Sequence, residues 1–147
     1  MKFFGELLDR PSLIALMPAL AVFFDYTMTL TISGGRAAIM AFEYSPILRT
    51  AVASNLLLPC LTALAIGYYF LSYLALRALH GSRYYPFGVL VIILISLTHV
   101  SGGFSWIIRN SAYSHGVLLI AAAGIVVALL AFLLALKSLR AEPAPAS

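Results

Sequence analysis

The chain has 147 residues, 63% of them hydrophobic and 10% charged, with a formal net charge of +4 and a mean hydropathy of +1.02. A soluble domain is roughly half apolar and about a quarter charged, so this chain has too little polar surface to cover a water-facing globule and reads as an integral membrane protein. Its basic residues are scattered at the ends of apolar segments rather than gathered in a patch, which argues against nucleic-acid binding, and the single Cys60 has no partner for an intrachain disulfide.

A helix needs about 20 apolar residues to cross the hydrocarbon of a bilayer, and four segments meet that length. The first runs over about 12–33 behind Pro11, whose missing N–H does no harm in a first turn. It is too long and continuous for a cleaved signal peptide, and its flank balances Lys2 and Arg10 against Glu6 and Asp9, so it is expected to be retained. The second follows Pro46 and stays helix-compatible over 47–79, about 50 Å at 1.5 Å per residue, so it is expected to tilt, to kink at Pro59 or to protrude into water over Leu74 to His80. The third covers 86–108 and the fourth 113–136. Residues 1–140 thus read as one transmembrane domain, followed by a disordered tail, AEPAPAS, at 141–147.

Placing the N-terminus, the second loop and the C-terminus on one side collects Lys2, Arg10, Arg77, Arg83, Lys137 and Arg140 there, against Arg36, Arg49 and Arg109 opposite. The positive-inside rule then predicts an all-α four-helix bundle with both termini cytoplasmic and multi-pass residence in the cell membrane. Tyr68, Tyr69, Tyr73, Tyr84 and Tyr85 are assigned to the inner interface, and Tyr44, Trp106 and Tyr113 to the outer. On the fourth helix Ala121, Gly124, Ala128, Ala131 and Ala135 form a stripe of small residues, and Ala51, Asn55, Thr62, Ala65, Tyr69 and Ser72 share one side of the second. Small side chains let helices approach closely in lipid, so both stripes are expected to pack, within the chain or in a homo-oligomer or larger membrane complex.

The residue that most needs explaining is Asp25, because an ionised carboxylate at a helix centre costs roughly 2.5–3.5 kcal/mol on insertion scales. Counted from Pro11 it lies about 21 Å along its helix, and His99, counted from Pro86 at the same end, lies about 20 Å along the third; the two share a depth. Asn55 approaches from the other side, and Thr29 lies one turn above Asp25. Asp25, Asn55 and His99 can hydrogen-bond each other and so fix the bundle's register; alternatively Asp25, Thr29, Glu43, Asn55 and His99 form a candidate ligand site, pictured as an outward-facing polar pocket. Asp25, Glu43, His99 and His115 are also ligand types that hold zinc or another divalent ion, although no H-E-x-x-H or CxxC spacing supports a metal. Nucleophilic catalysis has little basis: His99 and Ser101 point to different faces of a helix, no Gly-x-Ser-Gly motif is present, and Gly102-Gly103 reads as a close-packing or flexible point.

The order Asp25-x-x-x-Thr29, then Glu43-x-Ser45-Pro46, resembles a family of small four-helix membrane proteins of archaea and bacteria that has no assigned activity. The similarity covers roughly residues 19–79, and Ser45 stands where that family more often has Asn. It implies a compact four-helix bundle and treats Asp25 and Glu43 as one unit, with no catalytic role. The sequence thus favours a non-enzymatic membrane protein that binds a small ligand, ion or lipid headgroup, or serves as an assembly subunit. A metal-dependent enzyme at the extracytoplasmic face and a small proton- or cation-coupled transporter titrating Asp25 are the alternatives.

Overall fold

The computed structural model describes residues 9–141, with side chains described to Leu134. Among the described residues all regular structure is helical: α1 (Pro11–Ile32), α2 (Arg36–Phe42), α3 (Pro46–Ala53), α4 (Leu57–Leu79), α5 (Tyr85–Ile108) and α6 (Ser111–Ala141). Four of these, α1, α4, α5 and the Ser111–Leu134 stretch of α6, are long and apolar enough to cross a membrane. Of the tail expected at 141–147, Ala141 is still helical and 142–147 lie outside the described residues, as does the flank containing Lys2 and Glu6.

The single helix expected over 47–79 is two helices, and its division removes the excess length. Asn55 adopts a left-handed backbone at φ 56°. The Leu56 N–H reaches the Ala51 carbonyl at 2.9 Å and the Asn55 N–H reaches that of Val52 at 3.4 Å. These two bonds form a Schellman stop, in which Asn is one of the few non-glycine residues that tolerate the required φ. The Arg36 guanidinium completes the stop, donating to the Ala53 carbonyl at 2.8 Å and to Asn55 Oδ1 at 3.1 Å. Pro59 consequently sits in the first turn of α4, where N–H groups have no intrahelical partner, and kinks nothing. The new helix is about 35 Å long, close to a bilayer core.

Glu43-x-Ser45-Pro46 proves to be a start signal for α3. Ser45 is its N-cap, accepting from the Leu48 N–H at 3.3 Å; Pro46 occupies the first turn; and Glu43 Oε1 accepts the Ser45 N–H at 2.8 Å. The break between α1 and α2 falls at Gly34 and Gly35, both at positive φ. Arg109 ends α5 with φ 43° and donates to the Ile32 carbonyl at 3.3 Å, placing a positive charge at the C-terminus of α1.

α1 packs along both α4 and α5, and α6 packs along α5. Two apolar clusters hold this arrangement. Near the Ile32 end, Val22 and Tyr26 meet Ile39, Leu48, Val52, Leu61 and Trp106; near the Pro11 end, Ile14 and Ala15 meet Leu76, Val89 and Ile92. Gly102 and Gly103 set the α1–α5 spacing. A Cβ on Gly103 would lie 3.1 Å from the Asp25 Cα and 3.2 Å from the Phe24 ring, and one on Gly102 would lie 3.3 Å from both Asp25 carboxylate oxygens. The glycine pair is therefore a close-packing point. α6 is anchored by two tyrosine hydroxyls: Tyr113 donates to the Ser101 carbonyl at 3.0 Å, and Tyr84, from the α4–α5 turn, donates to that of Leu134 at 3.1 Å. Most of its large apolar side chains, among them Leu119, Ile125, Phe132 and Leu133, remain exposed.

Candidate functional site

The close approach at Gly102 and Gly103 brings the Asp25 carboxylate against α5, where it meets His99. Asp25 Oδ2 lies 2.9 Å from His99 Nδ1, with the side chains 16% and 20% exposed. On the other edge of the imidazole, Nε2 lies 3.1 Å from the Tyr68 hydroxyl of α4, and the two rings meet edge to face at 5.2 Å. Three helices thus contribute one hydrogen-bonded chain, Asp25–His99–Tyr68. With Asp25 ionised and His99 neutral, Nδ1 donates to the carboxylate and Nε2 accepts from the Tyr68 hydroxyl. Each ring nitrogen is satisfied, which the low-dielectric surroundings require.

Beside this chain lies a cleft of about 220 Å³. Val91, Ile95, Thr98 and His99 of α5 form its floor, Tyr68 of α4 one wall, and Ala121, Gly124, Ile125 and Ala128 of α6 the other. Three residues of the expected small-residue stripe therefore serve as the wall of a cavity. Within that stripe Gly124 also packs: a Cβ there would stand 3.5 Å from Leu94 Cβ, an ordinary contact. The side chain of Ala135 is outside the described residues. The cleft lining is predominantly apolar, so the polar pocket pictured from the sequence is not what adjoins His99.

The remaining site candidates go elsewhere. Thr29 is buried and its hydroxyl makes no hydrogen bond, unlike those of Thr27 and Thr31, which bond back to carbonyls four residues earlier. Asn55 is exposed at the α3 stop and engaged by Arg36. Glu43 is held by the Ser45 N–H; burial pushes its carboxyl above the usual range, the Ser45 bond opposes this, and the charge of Asp25 adds to it. His115 is exposed and turns to its own helix, with Nδ1 2.7 Å from the Ser111 carbonyl. Among the described residues no three His, Cys, Asp or Glu side chains are grouped so as to hold a metal ion, so the set Asp25, Glu43, His99 and His115 is not assembled.

Tyr68 is the residue that sequence reasoning missed, having been assigned to an interface. Counted from Leu79, the end of α4 that lies beside the start of α5, Tyr68 is about 17 Å along its helix, close to the depth found for Asp25 and His99. The same counting would have included it. Serine chemistry finds no support here, since both His99 nitrogens are engaged and Ser105 Oγ is bonded to the Gly102 carbonyl at 2.6 Å. No protein-family model, curated protein or solved structure matches the chain. The functional reading therefore rests on this geometry.

Proposed function

We propose that the chain is a non-enzymatic, four-pass integral membrane protein that binds a small membrane-dissolved molecule in the cleft between α4 and α6, with Asp25–His99–Tyr68 as its polar anchor. The observation that carries this reading is the junction of an apolar cleft with a partly buried hydrogen-bonded chain drawn from three helices. Pockets for apolar ligands characteristically combine a hydrophobic lining with a few convergent polar groups. In this reading the four long helices form the membrane-spanning bundle and both termini face the cytoplasm, because Arg36, Arg49 and Arg109 at the Ile32 end are outnumbered by the basic residues assigned to the other end. His99 then lies about 14 Å below the Ile108 end of its helix, within hydrocarbon and below the reach of a phospholipid headgroup.

Photolabelling with a trifluoromethyl-phenyldiazirine in reconstituted vesicles tests this. Labelling of Val91 and Ile95 should saturate with probe concentration and disappear in Ala128→Phe, which fills the cleft. Non-saturating labelling spread evenly over Leu119, Leu129 and Leu133 would show that the cleft is ordinary lipid-facing surface.

A further inference from the structure

The hydrogen-bond inventory of the cleft specifies a ligand class. Two of its lining side chains offer oxygen atoms, and both have already committed their protons. Thr98 Oγ1 donates to the Leu94 carbonyl at 2.8 Å. With Asp25 ionised and His99 neutral, Nδ1 donates to the carboxylate and the Tyr68 hydroxyl donates to Nε2, 3.1 Å away. What remains is lone pairs on the Tyr68 and Thr98 oxygens, with no N–H or O–H left to give. The cleft lining also carries no Lys or Arg, so an anionic group would find no counter-charge there. At about 220 Å³ the space is somewhat larger than an apolar cavity of about 150 Å³ that holds benzene, which suits a single ring or a short branched chain.

We infer that the cleft selects neutral lipophiles bearing a hydrogen-bond donor, an alcohol or phenol hydroxyl, over carbonyl compounds, ethers and anions of the same shape. This rests on the cleft reading above and adds the chemistry of its occupant. Lipid chains compete for the same space but bring no donor. A hydroxyl dissolved in hydrocarbon lacks a partner and gains one here, whereas a ketone or quinone would set its oxygen against the lone pairs of Tyr68. The selectivity is imposed from a distance: Asp25 holds the proton on Nδ1, His99 thereby accepts at Nε2, and the Tyr68 oxygen, its proton committed, has only lone pairs left for a ligand.

Competition against the same photolabel, with the reconstituted full chain, provides the test. The competitors are 4-butylphenol, 4-butylanisole and butylbenzene, which share a ring and tail. Half-competition by the phenol should require about fivefold less compound, or lower still, corresponding to one net hydrogen bond. Replacing Asp25 and His99 together by Leu frees the Tyr68 proton, so the preference should collapse or turn toward the anisole. If that variant does not reconstitute, the wild-type ratio decides alone. Equal competition by all three compounds for the labelling that Ala128→Phe removes would overturn the donor preference and leave the cleft standing. Preference for the anisole would likewise overturn it. Absence of competition by any of them would overturn the cleft reading itself.

Discussion

α1 and α6 are both apolar and both long enough to span a bilayer, yet the fold uses them in opposite ways. α6 contains the most apolar of the four candidate spans and is the least buried; α1 is far less apolar, carries Asp25, and is the most buried. In water this would be paradoxical. In the hydrocarbon of the proposed membrane setting it follows directly, because lipid solvates leucine as well as a neighbouring helix does, so apolarity alone gives a helix no reason to go inside. What drives a helix to the centre is small or polar groups that need protein partners. α1 has Asp25 seated against Gly102 and Gly103, whereas α6 relies on contact with α5 and on two tyrosine hydroxyls near its ends.

The sharpest break of this contrast is a glycine exchange. Gly103→Ala pushes a methyl into the α1 backbone and should destabilise by about 1–3 kcal/mol. Gly116→Ala on α6, where nothing lies within 4 Å, should be neutral or stabilise by about 0.5–1 kcal/mol through helix propensity. Thermal unfolding in detergent checks both, and equal costs would show that α6 is packed as closely as α1.

Next in size is Asp25. Asp25→Leu leaves His99 Nδ1 without a partner and should cost about 1–3 kcal/mol, while Asp25→Asn keeps an acceptor and should cost less. A double-mutant cycle with His99 should return a coupling of about 0.6 kcal/mol or more. Strict additivity would mean that the pair contributes nothing to holding α1 in place.

For α6 the corresponding change is Tyr113→Phe, which releases the Ser101 carbonyl. A loss of about 0.6 kcal/mol is expected, with faster hydrogen exchange in α6 and none in α1. Exchange that rises in both would show the two helices opening as one unit.

The smallest effect concerns Glu43, beyond the Ile32 end of α1. Its folded-state pKa is raised by burial, so its contribution to stability is full below the ordinary glutamate value of 4.5 and is lost as pH rises through the folded value. Glu43→Gln keeps the bond to the Ser45 N–H and removes the titration. It should be the more stable form at neutral pH, and the gap should close on acidification. A gap that widens towards low pH would reverse the sign.

The sequence carried much of this architecture where helices enter at a proline. Pro11 and Pro86 fix the start of two helices at the same end, so simple counting put Asp25 and His99 at one depth. The same method went astray on the second segment. A left-handed asparagine in a Schellman stop cannot be told by residue type from a buried polar ligand, and reading 47–79 as one helix placed Asn55 in the site and Tyr68 outside it. Glu43 and His115 were grouped by ligand chemistry alone, whereas their nearest partners are local, Ser45 and Ser111. Depth along a helix is a global quantity that hydropathy supplies, whereas capping and turn bonds are decided by a few atoms nearby.

The tautomer of His99 reports most directly on the chain from Asp25 to Tyr68. Nitrogen NMR of histidine-labelled protein reads this directly, with His80→Gln and His115→Gln variants assigning the signals. The account predicts a neutral His99 with Nδ1 protonated and Nε2 accepting from Tyr68. A ring protonated at Nε2, whether neutral or doubly protonated, would contradict it, since the Tyr68 proton would then be free and the cleft would present a donor instead of an acceptor.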